Sequence, residues 1–376
     1  MRTPTARSRI LVTLVSLGLL AGAVTVGVSA SRRSHPPAGA GGDPTLVRAS
    51  APSAPRSVSA NGDNGKATVR WIAPANVNGS PVSTYIVWPY LAGRQQKARE
   101  FHSKATTEVV TGLLNGLSYT FRVAARNSVG IGPKSGASAA TWTRWYPALH
   151  ATWQWQLTTP VNTSVNVGVY DIDMFENSAA VVAKLHHLGR KVICYVDVGS
   201  WESFRADKSK FPASVLGSPL DGFNDERWLD IRQISKLAPA IKARFAACKA
   251  KGFDAIEPDN VDGYENDSGF PLTGADQLRY NSWIAHLAHS MGLGVALKND
   301  LDQIPQLVTT FDFELDEQCY EYDECGTLTP FVRAHKAVFE VEYNRTPAQF
   351  CATTKPLGFS SMYKHLDLDA FRQACP

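Results

Sequence analysis

The sequence has few charges and no excess of one sign that could serve a polyanion. Charged residues make up 19% of its 376 residues, and the formal net charge is +4. Arg2, Arg7, Arg9, Arg32 and Arg33 all precede any segment with a folded pattern. Without them the chain is close to neutral, so composition gives no basis for nucleic-acid binding. Beyond residue 28 no apolar run is long enough to span a bilayer. No Gly-rich phosphate loop follows the early strands, which counts against nucleotide binding. A G-x-S-x-G for Ser-His-Asp chemistry is missing, as are C-x-x-C pairs and clustered histidines for metal. His186, His187, His286, His289 and His335 fall in helical stretches instead. Neither a metal nor a cofactor is expected.

The one long apolar run, Ile10 to Val28, follows Arg2, Arg7 and Arg9 and ends in Val28-Ser29-Ala30. This is the pattern of a secretory signal peptide at 1–30, and it predicts a secreted, extracellular protein with no membrane attachment after cleavage. An uncleaved segment would instead keep it at the cell surface. All six cysteines (Cys194, Cys248, Cys319, Cys325, Cys351 and Cys375) lie in the C-terminal half. In an exported chain an even number suggests up to three disulfides, with several connectivities open. Cys319–Cys325 and Cys351–Cys375 would close short loops, leaving Cys194–Cys248. A monomer is expected.

Residues 31–53 are rich in Pro, Gly, Ala and Ser and read as a flexible linker. From 54 to 143 short alternating strands (Ala67–Trp71, Ser83–Val87, Thr107–Val110, Tyr119–Ala124) are separated by Asn61-Gly62, Asn64-Gly65, Asn78-Gly79 and Asn115-Gly116 turns. Such a segment makes a β-sandwich. Ala54-Pro55, Trp71, Leu117-x-Tyr119 at a tyrosine-corner position, and Arg126 to Gly130 followed by Gly132-Pro133 resemble a fibronectin type III module. That resemblance implies an all-β spacer or adhesion unit without catalysis. Surface aromatics such as Trp88 and Tyr90 are expected to serve as framework or edge residues, with contact to polysaccharide the alternative.

From 145 to 376 strands and helices alternate. Candidate strands are Val165–Tyr170, Lys191–Val198, Trp228–Ile231, Asp254–Glu257, Gly294–Lys298, Phe311–Asp316, Ala337–Tyr343 and Leu357–Tyr363. Helical patterns cover Ser178–Leu188, Ala238–Lys251, Gly274–Met291, Leu301–Thr309 and Thr327–His335. Repeated βα units of this number favour an α/β fold of (β/α)8, TIM-type, over an open sheet. Its active site lies at the C-terminal ends of the strands. Those ends carry Asp171 and Asp173, then Tyr195, Asp197, Trp201 and Glu202, then Asp230 and Arg232. After these come Glu257, Asp259, Asn260 and Asp262, then Lys298 and Asn299, then Asp316 and Glu317, and finally Glu340, Glu342 and Tyr343. Recurrent carboxylates beside aromatics suit glycoside hydrolysis, where one carboxyl protonates the leaving oxygen and another attacks the anomeric carbon or activates water. The competing role for Asp171, Asp173 and Asp262 is to cap helices.

Trp153-Gln-Trp-Gln-Leu157, Val192-Ile-Cys-Tyr195, Trp228-Leu-Asp-Ile-Arg232, Pro258-Asp-Asn-Val-Asp-Gly-Tyr264, Leu297-Lys-Asn299, Glu317-Gln-Cys319 and Tyr322-Asp-Glu-Cys325 together resemble glycoside hydrolase family 114. The resemblance implies a (β/α)8 barrel that cleaves α-1,4-linked galactosamine within an extracellular polysaccharide, without metal. It also implies catalytic carboxylates at Asp259, as nucleophile, and Glu317, as general acid/base. Trp155, Asp171, Asp173, Tyr195, Asp197, Glu202, Asp230, Arg232, Asn260, Lys298, Asn299, Glu342 and Tyr343 are the expected substrate-binding residues. A cleft lined by Asp171, Asp173, Asp197, Glu202 and Glu342 would attract the protonated amines of galactosamine. The alternatives are a barrel glycosidase for another α-linked polymer, and an inactive polysaccharide-binding or adhesion protein.

Overall fold

The computed structural model describes residues 48–376. The expected signal segment 1–30, and residues 31–47 of the expected linker, lie outside the described residues. Ser50 and Ser53, near the end of that linker, donate backbone hydrogen bonds to the carbonyls of Asn78 (3.0 Å) and Asn76 (2.9 Å).

Two antiparallel sheets follow. One joins Arg56–Asp63, Lys66–Ile72 and Thr107–Thr111. The other centres on Thr84–Leu91 and Ser118–Arg126, with Arg94–Gln95, Arg99–Phe101 and Thr141–Trp142 at its margins. Alternation sends Ala67, Val69, Trp71, Tyr85, Val87, Phe121 and Val123 into one shared core. Trp71 meets Tyr85 edge-on at 4.9 Å. The Tyr119 hydroxyl accepts a 3.2 Å bond from the Leu114 amide, as a tyrosine corner should. Trp88 is less available than its composition suggests, because the Lys134 ammonium lies 4.4 Å from its ring centre.

The C-terminal region is built on a curled sheet whose strands run in chain order. They are β1 (Trp153–Gln156), β2 (Val169–Asp173), β3 (Lys191–Asp197), β4 (Ala255–Asp259), β5 (Gly294–Lys298), β6 (Phe313–Glu317), β7 (Val338–Glu342) and β8 (Ser360–Tyr363). All neighbours pair in parallel, and a short Gln373–Ala374 strand adds antiparallel to β8. The indole of Trp153 on β1 donates to the Ser360 carbonyl on β8 at 2.8 Å, bringing the first and last parallel strands into contact.

Both faces of this sheet carry an apolar layer, as strands buried on two sides require, with buried acids set among it. Trp153, Trp155, Val169, Ile193, Ala255, Ala296, Phe313, Leu315, Phe339 and Met362 fill one face. Residues offset by one, such as Tyr170, Val192, Ile256, Val295 and Val338, pack the other under helices α1 (Ala179–His187), α2 (Ile234–Lys251) and α3 (Gly274–Ser290). Gly252, with φ of 94°, ends α2 in a left-handed turn, its amide bonding back to Cys248 and Lys249. Three disulfides, Cys194–Cys248, Cys319–Cys325 and Cys351–Cys375, use all six cysteines. The first ties β3 to α2.

One strand expectation is corrected. Trp228–Ile231 does not enter the parallel sheet; Phe223–Leu229 instead pairs antiparallel with Ser200–Glu202 and Leu216–Leu220 in a three-stranded insert between β3 and α2. Its place in the parallel order is taken by β1, whose Trp-Gln-Trp-Gln alternation spans only four residues. The short helix Pro347–Thr354, closed by a Thr346/Gln349 capping box, was not expected.

The fibronectin-like sheets are anchored to this region by charge. Arg144 places its guanidinium on Asp312 at 2.9–3.1 Å and also donates to the Gly62 carbonyl at 2.8 Å. His289 reaches the same carboxylate at 2.9 Å, and the Val295 amide at 3.1 Å. Burial alone would raise the Asp312 pKa, but His289 and Arg144 hold it below the usual carboxylate range. Removing one partner from such a buried group leaves charge uncompensated. We expect Arg144→Ala to cost about 3 kcal/mol; chemical denaturation should show this as a lowered midpoint with a nearly unchanged slope.

Candidate active site

Three strands end at one point. Asp259 closes β4, Lys298 closes β5 and Glu317 closes β6. The Lys298 ammonium stands 2.9 Å from Asp259 Oδ1, 2.7 Å from Glu317 Oε2 and 3.7 Å from Glu257 Oε1. Burial alone would lower the lysine's pKa; the carboxylates of Asp259, Glu317 and Glu257 raise it well above its ordinary value. It is a fixed cation shared by two carboxylates.

Each carboxylate has its own phenol. Tyr195 donates to Asp259 Oδ2 at 2.8 Å, and Tyr343 donates a short bond to Glu317 Oε1. Burial, with Asp259 beside one phenol and Glu317 beside the other, raises both tyrosine pKa values well above normal, so both remain donors. Burial opposes ionisation of Asp259, but Lys298, Tyr195 and the Asn260 amide together hold its pKa below the usual value. Asn299 accepts from the Glu317 amide at 3.1 Å, fixing the strand end that carries the carboxylate. The side chains of Asp259 and Glu317 stay partly open, at 17% and 24% exposure, while that of Lys298 is buried at 3%.

The backbone turns sharply just past these residues. Asn260 (φ 59°), Asn299 (52°), Asp300 (48°) and Gln318 (67°) all occupy the left-handed region. Conformations of this kind persist where surrounding structure imposes them and cluster at functional sites. Gly199 allows one such turn to close, since a Cβ there would lie 1.6 Å from the Asn260 carbonyl oxygen.

Of the expected binding residues, Tyr195, Asn260, Lys298, Asn299 and Tyr343 gather here; Arg232 is exposed and paired with Asp230, and the others are buried within the fold. Trp155 is buried in the apolar layer beneath, its ring 5.1 Å from Lys298 Nζ. Asp173 and Glu202 are buried on Arg205 at 2.6 and 2.7 Å. Asp197 accepts from the Gly199 and Ser200 amides and from Asn260 at 2.6 Å. Asp230 accepts from Arg232 and Gln233, capping a 3-10 turn (Ile231–Gln233). Glu342 accepts the Tyr320 amide at 2.8 Å and holds the loop after β6. Asp171 is fully buried beneath the site. The expected acidic lining is therefore largely spent within the fold.

Sequence reading missed Glu226. The antiparallel insert brings it, half-buried, to Ser200 Oγ at 2.9 Å, and that hydroxyl also contacts Asp197. Burial and Asp197 push its pKa up to about 8. It carried no sequence signal of its own, since the strand read there began at Trp228 and left Glu226 outside it. Among the described residues, Cys319 approaches Glu340 and Glu342 closely enough to suggest a metal group, but its sulfur is bound to Cys325.

The burial of so many acids predicts an acid-favouring stability profile. Burial raises Asp171 to about 7, Glu226 to about 8 and Asp300 to about 9, and holds Glu257, Glu314 and Glu340 well above normal. With folded pKa values above the unfolded ones, the native state binds more protons, so stability falls as pH rises. The depressed Asp254 and Asp312 act oppositely, and their contribution is lost only as pH falls below about 4. The thermal midpoint should peak near about pH 5 and decline steadily to about pH 9. A midpoint that is flat or rising across neutral pH would contradict this.

Both parts of the chain match known families. The model of glycoside-hydrolase family GH114 matches residues 134–376, and that of the fibronectin type III domain matches residues 50–141. Aspergillus fumigatus Ega3, crystallised in complex with galactosamine, is 36% identical over 61% of this chain and 97% of its own, with a TM-score of 0.59. A variant of the glycoside hydrolase domain of PelA from Pseudomonas aeruginosa is 14% identical over 59% of this chain and 97% of its own, with a TM-score of 0.49.

Proposed function

The chain belongs to glycoside-hydrolase family GH114, and from that premise we propose that it is a secreted endo-hydrolase of α-1,4-linked galactosamine polymer, acting through Asp259 and Glu317. The observation that carries this reading is the pair of partly open carboxylates bridged by Lys298. One nitrogen within hydrogen-bond reach of both holds the nearer oxygens within about 6 Å, a separation that suits a retaining mechanism better than an inverting one. Eight parallel strands in chain order, with β1 against β8, support a closed (β/α)8 barrel around them.

In this reading Asp259 is the nucleophile. Lys298 and Tyr195 keep it ionised and aimed, and its attack on the anomeric carbon forms a glycosyl ester. Glu317, the more open of the two, gives its proton to the leaving glycosidic oxygen and then takes one from the water that cleaves the ester. The fibronectin type III module has no catalytic part. The three disulfides within the hydrolase region suit an oxidising compartment, and no helix among the described residues is long and apolar enough to cross a membrane. We read the protein as a secreted monomer.

Preference for an amino sugar follows from local charge. Asp259 and Glu317 are partly open, so their oxygens can accept from a substrate ammonium, while the buried Glu257 and Glu226 hold protons and add little charge. Galactosamine bound to Ega3 is consistent with that preference.

Purified protein incubated with deacetylated α-1,4-galactosamine polymer should release oligomers visible by mass analysis, with the α-anomer formed first by NMR. Asp259→Asn and Glu317→Gln should each lower kcat by about a hundredfold or more. Equal rates on deacetylated and fully N-acetylated polymer would remove the charge argument, and polymer binding without cleavage by wild type would favour an adhesion role.

A further inference from the structure

Beneath the bridging lysine lies a second carboxyl pair that the reaction does not use. Asp171 on β2 and Glu257 on β4 are both fully buried, and their oxygens find no donor except each other's acid proton. The nearest cation is Lys298, 3.7 Å from Glu257 Oε1. Asp259 faces the pair from the same strand end, and Tyr195 and Tyr343 from β3 and the end of β7. Glu317 meets it through the shared ammonium. Asp173, two residues along β2, is already matched by Arg205.

This arrangement bears on a difficulty in the site. A general acid must carry a proton, and the Lys298 ammonium stands 2.7 Å from Glu317 Oε2. A compensating negative charge beside that ammonium would weaken its pull on both reacting carboxylates. Building on the reading above, we propose that Asp171 and Glu257 form a positioning pair: they seat Lys298 from below and offset its charge at the two reacting carboxylates. As the pair loses its first proton, from Asp171, the charge it gains falls on the one ammonium that both reacting carboxylates share, while Glu257 keeps its own proton. The burial that raises Asp171 to about 7 would have that first proton leave near neutrality.

The test compares wild type, Glu257→Gln, Asp171→Asn and Glu257→Asp on the deacetylated polymer from about pH 4 to about pH 9. Substrate amines titrate identically in every arm. Both neutralising variants should move the alkaline limb of kcat/KM toward acid by about one pH unit, with KM little changed, whereas Glu257→Asp keeps the wild-type limb. A uniform loss of rate at every pH, or an unmoved limb, would overturn the proposal and leave the pair a packing feature. If one neutralising variant does not fold, the other carries the same reading. If wild type itself cleaves nothing, the hydrolase reading fails, and the pair is judged by stability alone. The Glu257→Gln thermal midpoint should then fall less than that of wild type as pH rises, and parallel curves would reject the pair as a titrating unit.

Discussion

A buried ammonium cannot be left alone in a sheet interior, and Lys298 is held there by three carboxyl groups from two neighbouring directions. That constraint organises everything near it. Asp259 and Glu317 are close to each other because both answer the same cation, and Tyr195 and Tyr343 stand behind them because carboxylates so engaged still have a free oxygen to satisfy. Remove the charge of Lys298 and two like charges would face each other across a space too small for both to remain ionised.

Around this centre the fold carries far more acid than base in its interior. Some of it is matched directly: Asp173 and Glu202 by Arg205, Asp207 by Arg244, Asp312 by Arg144 and His289. The rest is tolerated by holding protons. The two strategies divide by position: Asp171, Glu257, Glu314 and Glu340 lie within the parallel strands, whereas the arginine-matched acids lie at the last residue of a strand or in loops. A strand interior offers no room for a guanidinium beside every carboxyl.

Much of this was legible before the structure. The strand ends that carry Asp259, Lys298 and Glu317 could be read from the repeated βα pattern, and the P-D-N and E-Q-C segments from the family resemblance. What could not be read was partnership. Nothing in Asp171, Asp197 or Glu202 as isolated letters says whether a carboxylate faces a ligand or an arginine thirty residues away. The antiparallel insert was misread for a related reason. Trp228–Ile231 reads as a short buried strand, and only pairing distinguishes the end of an antiparallel hairpin from a member of a parallel sheet. Likewise β1 was passed over because four residues, two of them buried glutamines, give too weak a period.

The left-handed residues at the ends of β4, β5 and β6 have a consequence for how this site can change over time. Asn260, Asn299 and Gln318 occupy backbone states that β-branched side chains avoid and that asparagine tolerates best. The positions that touch the reacting carboxylates are therefore narrow in the alphabet they accept, whatever substrate is selected for. Variation has freer play in the insert between β3 and α2, where ordinary extended backbone imposes no such filter and Glu226 already reaches inward. New specificities within this scaffold would thus arise from the insert, with the chemistry held fixed by the geometry of three turns.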